Sequence, residues 1–322
     1  KRRGNRDGKV TYAPDAMLAE TLKFMEENRN RPMFILFSTN LPHGPVDIPP
    51  AENKYAGHPA IRQAYAGAAG GNRECAGAAE EYASMVDKLD RQVGAILAQV
   101  HKLGLEKRTI IVFSSDNGHE LYYRTDKERG RGLNCHGGVL DGTGELLDVF
   151  RGSRGLIGQK NAMVNLAGLK WTNHEGGIRV PLIVSWPGTV PHGKVCRSLV
   201  ANYDHMATFA ELAGVGMPEG KDSVSYKNML FGKPSSQRDY VVVDHTVITG
   251  DGWKLTHKQD KWLLFQISSD PEERHNLAET RKDQLERLQA IYRKEAGSPR
   301  KDRQKPEQPR KTALFPPLAF AG

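Results

Sequence analysis

The feature that most constrains the fold is the stretch Glu81–Glu120, in which a long amphipathic pattern precedes a short apolar run. Apolar residues recur every three or four positions over Tyr82–Leu103, which predicts a helix with one apolar face. Gly104 follows as the expected left-handed C-terminal cap. The run Thr109–Phe113 is apolar without alternation, as in a strand covered on both faces. Together these patterns predict an α/β fold.

Polar residues follow this predicted strand at once, in the order Ser-Asp-Asn-Gly from residue 115. In an open α/β sheet, ligands bind beyond the carboxyl ends of the strands. Asp116 and Asn117 lie at such an end, and both carry the hard oxygen atoms that divalent cations prefer. An Asp-Asn-Gly sequence after a strand is also ordinary turn chemistry, so the pattern alone leaves both interpretations open.

Length and composition set outer limits on the architecture. A chain of 322 residues can form one large α/β domain and a smaller one. No apolar stretch is long enough to cross a bilayer, so no membrane span is predicted. Much of the net charge of +8 falls in residues 1–6 and 300–311, which we interpret as solvated basic segments. No aromatic-and-basic recognition motif supports nucleic-acid binding.

The amino-terminal part of the chain predicts a helix over residues 14–28 and a strand over Met33–Phe37. His43 follows this strand, on the same predicted rim as Asp116. Residues 49–80 are rich in Ala, Gly and Pro, and we expect a long surface loop there.

Beyond the organising stretch, residues 121–169 show poor periodicity, and a segment of that length is usually functional or disordered. A strand is predicted at Leu182–Trp186. A helix is predicted over Asp204–Leu212, with Asp204 as its N-cap and Gly214 closing it.

The pattern changes near residue 220, where short apolar runs alternate with turns and predict an antiparallel sheet. Its strands are expected at Tyr240–Val243, Trp253–Thr256 and Trp262–Gln266, followed by a tight turn at Asp270–Glu273 and a helix at Asp283–Glu295. The resulting division is a domain over 1–220, a smaller α+β domain over 221–298 and an extended basic tail over 299–322.

Five segments of the chain, in this order, resemble those of one known family. They are Pro42–Pro45, Tyr82–Gly94, Ser115–Gly118, Gly168–Pro181 and Asp270–Ala278. The family is the formylglycine-dependent sulfatases of the alkaline phosphatase superfamily. The resemblance implies an α/β fold with a mixed sheet flanked by helices, and a smaller C-terminal antiparallel sheet with a helix.

The resemblance also implies roles for individual residues. His43 resembles the histidine beside the leaving oxygen, and Lys170 resembles the lysine that contacts the sulfate oxygens. Asp116 and Asn117 resemble two of the ligands of a calcium ion. These are the predicted catalytic and metal-binding residues.

Four further residues are predicted to contact the substrate: His119, Glu120, His174 and Arg179. His119 and Glu120 directly follow the metal motif. For His174 the alternative is packing beneath the loop. Arg179 could instead form a structural pair with Glu175.

The chain departs from the family pattern at the nucleophile. The family oxidises the first residue of a Cys/Ser-x-Pro-x-Arg motif to formylglycine, and none of Cys75, Cys135 and Cys196 is followed by Pro and Arg at those positions. The first Asp-Asp metal pair and an early Lys and His pair have no counterpart either. We therefore expect a carboxyl-terminal portion of a sulfatase, with the formylglycine outside this chain and no activity in the isolated chain.

The predicted function is that of a sulfuric ester hydrolase that cleaves a sulfated carbohydrate or an aryl sulfate ester. The Gly-rich residues 121–169 favour a carbohydrate. An alternative is a non-catalytic protein that binds sulfated glycans or other anions and has lost the nucleophile. A phosphoester hydrolase is disfavoured, because two-metal phosphatases prefer Asp and His where this chain has Asp116 and Asn117. Family habit implies a periplasmic or secreted full-length protein, but these residues do not assign a location.

Overall fold

A computed structural model describes residues 11–44, 46–66, 73–118, 166–167, 170, 172–217, 219–233, 238–258 and 260–297. Its helices are α1 Ala13–Glu27, α2 Pro59–Ala66, α3 Arg73–Lys102, α4 Glu175–Ile178, α5 Asp204–Leu212, α6 Lys227–Leu230 and α7 Lys282–Gly297. Its strands are β1 Ile111–Ser114, β2 Leu182–Ser185, β3 Tyr240–Val243, β4 Thr246–Thr249, β5 Trp253–Lys258 and β6 Lys261–Gln266. Among these helices, none has both the length and the apolarity that a bilayer span requires.

Helix α3 is the longest element, and it begins before the predicted helix. Its first turns bury Ala78 and Ala79 against Ile61 of α2. The predicted loop over 49–80 is therefore wrong, because Pro59–Ala66 and the residues from Arg73 onward are helical. Alanine has the highest helix propensity, so an Ala-rich segment with an apolar neighbour favours helix over loop.

The end of α3 leads directly to the first sheet. Gly104 adopts φ +65°, and its N–H donates to the His101 carbonyl at 2.9 Å, which confirms the predicted cap. Strand β1 follows and pairs antiparallel with β2, with Val112 opposite Val184. All four residues of β1 are half-buried, so the expected full cover on both faces is wrong for this part of the sheet.

The predicted strand at Met33–Phe37 is also wrong. These residues join neither sheet, and the Phe34 and Leu36 side chains are 75% and 79% exposed. A strand forms only when a neighbour completes its backbone hydrogen bonds, and none of the described strands pairs with this segment. The apolar character of Met33–Phe37 predicted a buried strand, but the described residues do not cover Phe34 and Leu36.

The predicted C-terminal antiparallel sheet with a helix is confirmed. Strands β3 to β6 follow one another as an antiparallel meander, and α7 packs on it through Leu288 against Leu255 and Leu264. Strand β4 is an element that the sequence pattern did not predict. The predicted tail at 299–322 lies outside the described residues, and the division near residue 220 stays a prediction.

Asp204 has a different role from the predicted one. Its carboxylate caps no helical N–H; it accepts the N–H groups of Ala201 and Val224 and pairs with the Arg238 guanidinium. A buried carboxylate needs a cation and hydrogen bonds to offset its desolvation, and this site provides both. Gly214 closes α5 at φ +70°, as predicted.

Two glycines of the organising stretch give a matched stability test. Gly104→Ala should lower the free energy of unfolding by about 1 kcal/mol, because its positive φ is unfavourable for a residue with a Cβ atom. Gly94→Ala, in the helix interior with open space around it, should raise that free energy by roughly 0.5–1 kcal/mol. Urea unfolding of both variants measures the difference, and equal effects would contradict the cap.

Candidate active site

The two predicted catalytic residues, 127 positions apart in the sequence, meet in the structure. The Lys170 Nζ atom lies 2.9 Å from the His43 Nε2 atom. The other ring nitrogen of His43, Nδ1, lies 2.5 Å from the Gly44 carbonyl oxygen. A carbonyl can only accept, so Nδ1 carries a proton and Nε2 accepts from the Lys170 ammonium. The backbone thus orients the imidazole towards the lysine.

The predicted metal ligands lie on a tight turn after β1. Asp116 Oδ1 accepts the N–H of Asn117 at 3.0 Å, and the Asn117 amide nitrogen donates to the Gly118 carbonyl at 3.0 Å. These bonds fix both side chains against their own backbone. The donor set is one carboxylate and one amide oxygen, which suits calcium in kind.

The number of ligands in this turn is smaller than a calcium shell needs. Calcium takes about six to eight oxygens, and Asp116 and Asn117 supply only some of them. Across the described ranges, no cluster of three or more His, Cys, Asp or Glu residues could hold a metal ion. The two residues therefore fit part of a calcium shell.

The turn is held against α4 by contact between glycine backbones. The Gly118 N–H donates to the Gly177 carbonyl at 2.9 Å. A Cβ atom on Gly118 would lie only 2.0 Å from the Gly176 oxygen, well inside any permitted contact. This close approach requires glycine at position 118.

Helix α4 in turn contacts the segment that leads to Lys170. The Gly176 N–H donates to the Ala167 carbonyl at 2.6 Å, and the Ala167 N–H donates to the Pro271 carbonyl at 3.2 Å. Ala167 precedes Lys170 by three residues. Backbone hydrogen bonds therefore connect the Asp116–Gly118 turn, α4 and the beginning of the Lys170 segment.

The predicted substrate-binding residues lie in different surroundings. His174 Nδ1 is 2.9 Å from Glu273 Oε2, and an Arg179 guanidinium nitrogen is 3.6 Å from Glu175 Oε2. Both side chains thus contact protein carboxylates, in agreement with the structural alternatives for these residues. Their contact with substrate stays a prediction. His119 and Glu120 lie outside the described residues.

Two buried charged residues behind α4 were not predicted from the sequence. The Lys254 ammonium on β5 lies 2.9 Å from Glu273 Oε1 and 3.2 Å from Glu175 Oε1. Lys254 is 0%, Glu273 1% and Glu175 4% exposed. One sequence signal could have indicated a buried ion pair: Lys254 lies between Trp253 and Leu255 in an apolar strand, and burial of an unpaired charge costs free energy.

The environment of Glu273 controls its protonation. Burial alone would raise the pKa of this carboxyl group. The hydrogen bond from His174 and the positive charge of Lys254 outweigh burial, and the pKa lies below its ordinary value of 4.5. Glu273 is therefore ionised at neutral pH.

Comparison with known proteins decides the family. Residues 2–215 match the model of the Sulfatase family, and residues 170–297 match the model described as N-sulphoglucosamine sulphohydrolase, C-terminal. The chain belongs to the sulfatase family. The predicted membership of the alkaline phosphatase superfamily is confirmed with it.

A curated relative of this sulfatase-family chain is the N-acetylgalactosamine-6-O-sulfatase of Bacteroides thetaiotaomicron. The two are 26% identical over 226 residues, which cover 63% of this chain and 39% of the relative. The chain thus spans about two-fifths of the length of that relative.

Two solved structures show the same fold. One is described under the metabolism of multiple glycosaminoglycans by Bacteroides thetaiotaomicron, with TM-score 0.65 and 20% identity over 90% of this chain and 56% of the other. A second, in complex with its substrate D-glucosamine-2-N,6-O-disulfate, has TM-score 0.59 and 17% identity over 93% of this chain and 74% of the other. These likenesses confirm the predicted sulfatase fold.

The glycine contact predicts the effect of a side chain at position 118. Gly118→Ala should lower the free energy of unfolding by about 1–3 kcal/mol, because the new methyl group must displace the α4 backbone. Gly216→Ala, with no atom within 4 Å, is the matched control and should change little. Denaturant unfolding compares them, and an unchanged Gly118→Ala variant would contradict the close contact.

The lowered pKa of Glu273 predicts a pH dependence. A carboxyl group whose folded pKa lies below its unfolded value of 4.5 contributes stability above that value. That contribution is lost as pH falls below 4.5 towards the folded pKa. The difference in unfolding free energy between wild type and Glu273→Gln should therefore narrow in acid. A difference that stays constant or widens on acidification would contradict this assignment.

Proposed function

We propose that the protein to which these residues belong hydrolyses sulfate esters of carbohydrates. The observation that carries the proposal is the contact between Lys170 and His43, in a chain that belongs to the sulfatase family. The name of the Bacteroides thetaiotaomicron relative, an N-acetylgalactosamine-6-O-sulfatase, supports a sulfated sugar as the substrate.

Lys170 is proposed to bind the sulfate group. Its ammonium lies at hydrogen-bond distance from His43 Nε2, so a sulfate group bound beside this pair would contact both nitrogens. A sulfate oxygen there would accept from Lys170 and draw the ammonium away from the imidazole. Negative charge that develops on the sulfate oxygens during the reaction would be stabilised by this cation.

His43 is proposed to protonate the leaving oxygen. The hydrogen bond between Nδ1 and the Gly44 carbonyl keeps Nε2 directed at the Lys170 ammonium, beside which the sulfate is proposed to bind. With Nε2 protonated, the imidazolium can donate to a sugar alkoxide as the ester bond breaks.

Asp116 and Asn117 are proposed to hold a calcium ion together with ligands from elsewhere in the protein. When bound, the ion would polarise the sulfate as a Lewis acid. None of Cys75, Cys135 and Cys196 lies in a Cys-x-Pro-x-Arg sequence. We therefore propose that the formylglycine nucleophile of the family lies outside these residues, and that residues 1–322 alone release no sulfate.

The same missing motif favours a second candidate, a protein that binds sulfated glycans without cleaving them. The two functions share the anion site at Lys170 and differ in the presence of a nucleophile. Under the second function, the full-length protein would bind a sulfated saccharide and release no sulfate.

Substitution of Lys170 tests the proposed function. In the full-length protein, Lys170→Ala should lower kcat/KM for sulfate release from N-acetylgalactosamine 6-sulfate by about 100-fold or more, because a charge-stabilising donor is lost. Lys194→Ala, at an exposed lysine, is the control and should leave kcat/KM unchanged. Sulfate release is followed by ion chromatography.

Two results would count against this proposal. One is a Lys170→Ala variant that hydrolyses the ester at the wild-type rate, which would reject the role of Lys170 but not the hydrolase. The other is a wild-type full-length protein that binds the saccharide in calorimetry but never releases sulfate, which would favour the binding protein.

A further inference from the structure

We infer that Glu273 and Lys254, in the C-terminal part of the chain, are positioning residues of the candidate active site. They fix α4, and through it the Asp116–Gly118 turn and the segment that leads to Lys170. The catalytic consequence rests on the proposed function, whereas the positioning itself can be measured without any turnover.

The Glu273 carboxylate is held by three donors. It accepts the Glu175 N–H at 2.7 Å and the Lys254 ammonium at 2.9 Å, both on Oε1, and contacts His174 Nδ1 at 2.9 Å through Oε2. Two of the three donors belong to the residues where α4 begins. The carboxylate therefore sets both the position and the direction of α4.

The backbone of Glu273 shows that these contacts are maintained against strain. Glu273 adopts φ +50°, in the left-handed region, where a residue with a Cβ atom is disfavoured by about 1–2 kcal/mol. Asp244 and Asp260 also have positive φ, but each lies in a hairpin turn that requires it, and aspartate tolerates that region. Glu273 lies in no hairpin. It ends the Asp270–Glu273 turn, where its N–H donates to the Asp270 carbonyl at 3.0 Å, and this bond and the contacts of its carboxylate together hold the conformation.

Burial of Lys254 leads to the same conclusion. A fully buried ammonium loses its hydration, and among the residues that the structure describes the carboxylates of Glu273 and Glu175 offset that loss. Apolar residues often replace such a cluster without loss of stability. Apolar residues could not form the two directed hydrogen bonds to Glu175. Lys254 binds the Glu175 side chain, and Glu273 accepts the Glu175 N–H.

The turn that carries Glu273 contacts α4 and the Lys170 segment together. Its side chain binds the start of α4, while the Pro271 carbonyl accepts the Ala167 N–H at 3.2 Å. Gly176 and Gly177 of α4 bind Ala167 and Gly118 respectively. A displacement of Glu273 would therefore change the distance between the Asp116–Gly118 turn and Lys170, although Glu273 contacts neither of them directly.

Hydrogen exchange of the full-length protein tests this inference. Glu273→Gln keeps the side-chain volume but removes the charge that binds Lys254. We expect the Gly118 and Gly176 amides to exchange about tenfold faster, because the segment that holds both is released. If Glu273→Gln does not fold, Lys254→Arg, which keeps the charge but moves the donors, should accelerate the same amides.

The matched control is Glu80→Gln. Glu80 is likewise buried, at 3% exposure, and pairs with Arg62 at 2.8 Å in the contact between α2 and α3. Its loss should lower overall stability without selective acceleration at Gly118 and Gly176. If Glu273→Gln accelerates these two amides no more than Glu80→Gln does, Glu273 is only a stabilising residue and the inference is wrong.

A kinetic readout separates this inference from the proposed function. If both hold, Glu273→Gln lowers kcat for sulfate release and raises the calcium concentration that gives half of the maximal rate. Faster exchange in a protein that releases no sulfate would support the positioning role and reject the hydrolase. Normal sulfate release with unchanged exchange would support the hydrolase and reject the positioning role.

Discussion

Two backbones can approach as closely as those of Gly118 and α4 only because Gly118 has no side chain. The approach allows one hydrogen bond, between the Gly118 N–H and the Gly177 carbonyl, to join the turn after β1 to α4. The proposed placement of the metal ligands relative to Lys170 depends on this contact, since it relates Asp116 and Asn117 to the segment that carries Lys170. Helix α3 and its cap at Gly104 fix where the chain enters β1, and β1 leads directly to this turn.

The polar groups of the site fall into three sets with different surroundings. Lys170 and His43 lie in contact and are proposed to receive an anion, while Asp116 and Asn117 are proposed to offer oxygen atoms to a cation. Behind α4, the carboxylates of Glu175 and Glu273 and the ammonium of Lys254 are buried and paired. The first two sets carry the proposed chemistry, and the buried set is inferred to hold α4 in position.

Local patterns predicted the elements whose form depends on neighbours in sequence. The periodicity of α3, its cap at Gly104 and the alternation that gives β3, β5 and β6 are all of this kind. The strand predicted at Met33–Phe37 was wrong, because a strand needs a pairing partner and a local sequence pattern cannot specify one. The short β4 was missed although β3 has the same length, because β4 is defined by its pairing with β3 and β5.

The site residues show the same division. His43, Lys170, Asp116 and Asn117 could be named because their motifs resemble a family, and the contact between His43 and Lys170 agrees with that resemblance. Lys254 and Glu273 could not be assigned a role, because the value of a buried charge depends on which partners the fold brings to it. The Asp270–Glu273 turn was predicted correctly. Its sequence gave no indication that Glu273 points inward.

The most direct test is a crystal structure of the full-length protein with calcium and inorganic sulfate. The account predicts a sulfate within hydrogen-bond distance of Lys170 Nζ and a cation bound by the Asp116 and Asn117 side-chain oxygens, with the bond between Gly118 and Gly177 intact. A sulfate and a cation bound at separate places, away from these residues, would contradict it.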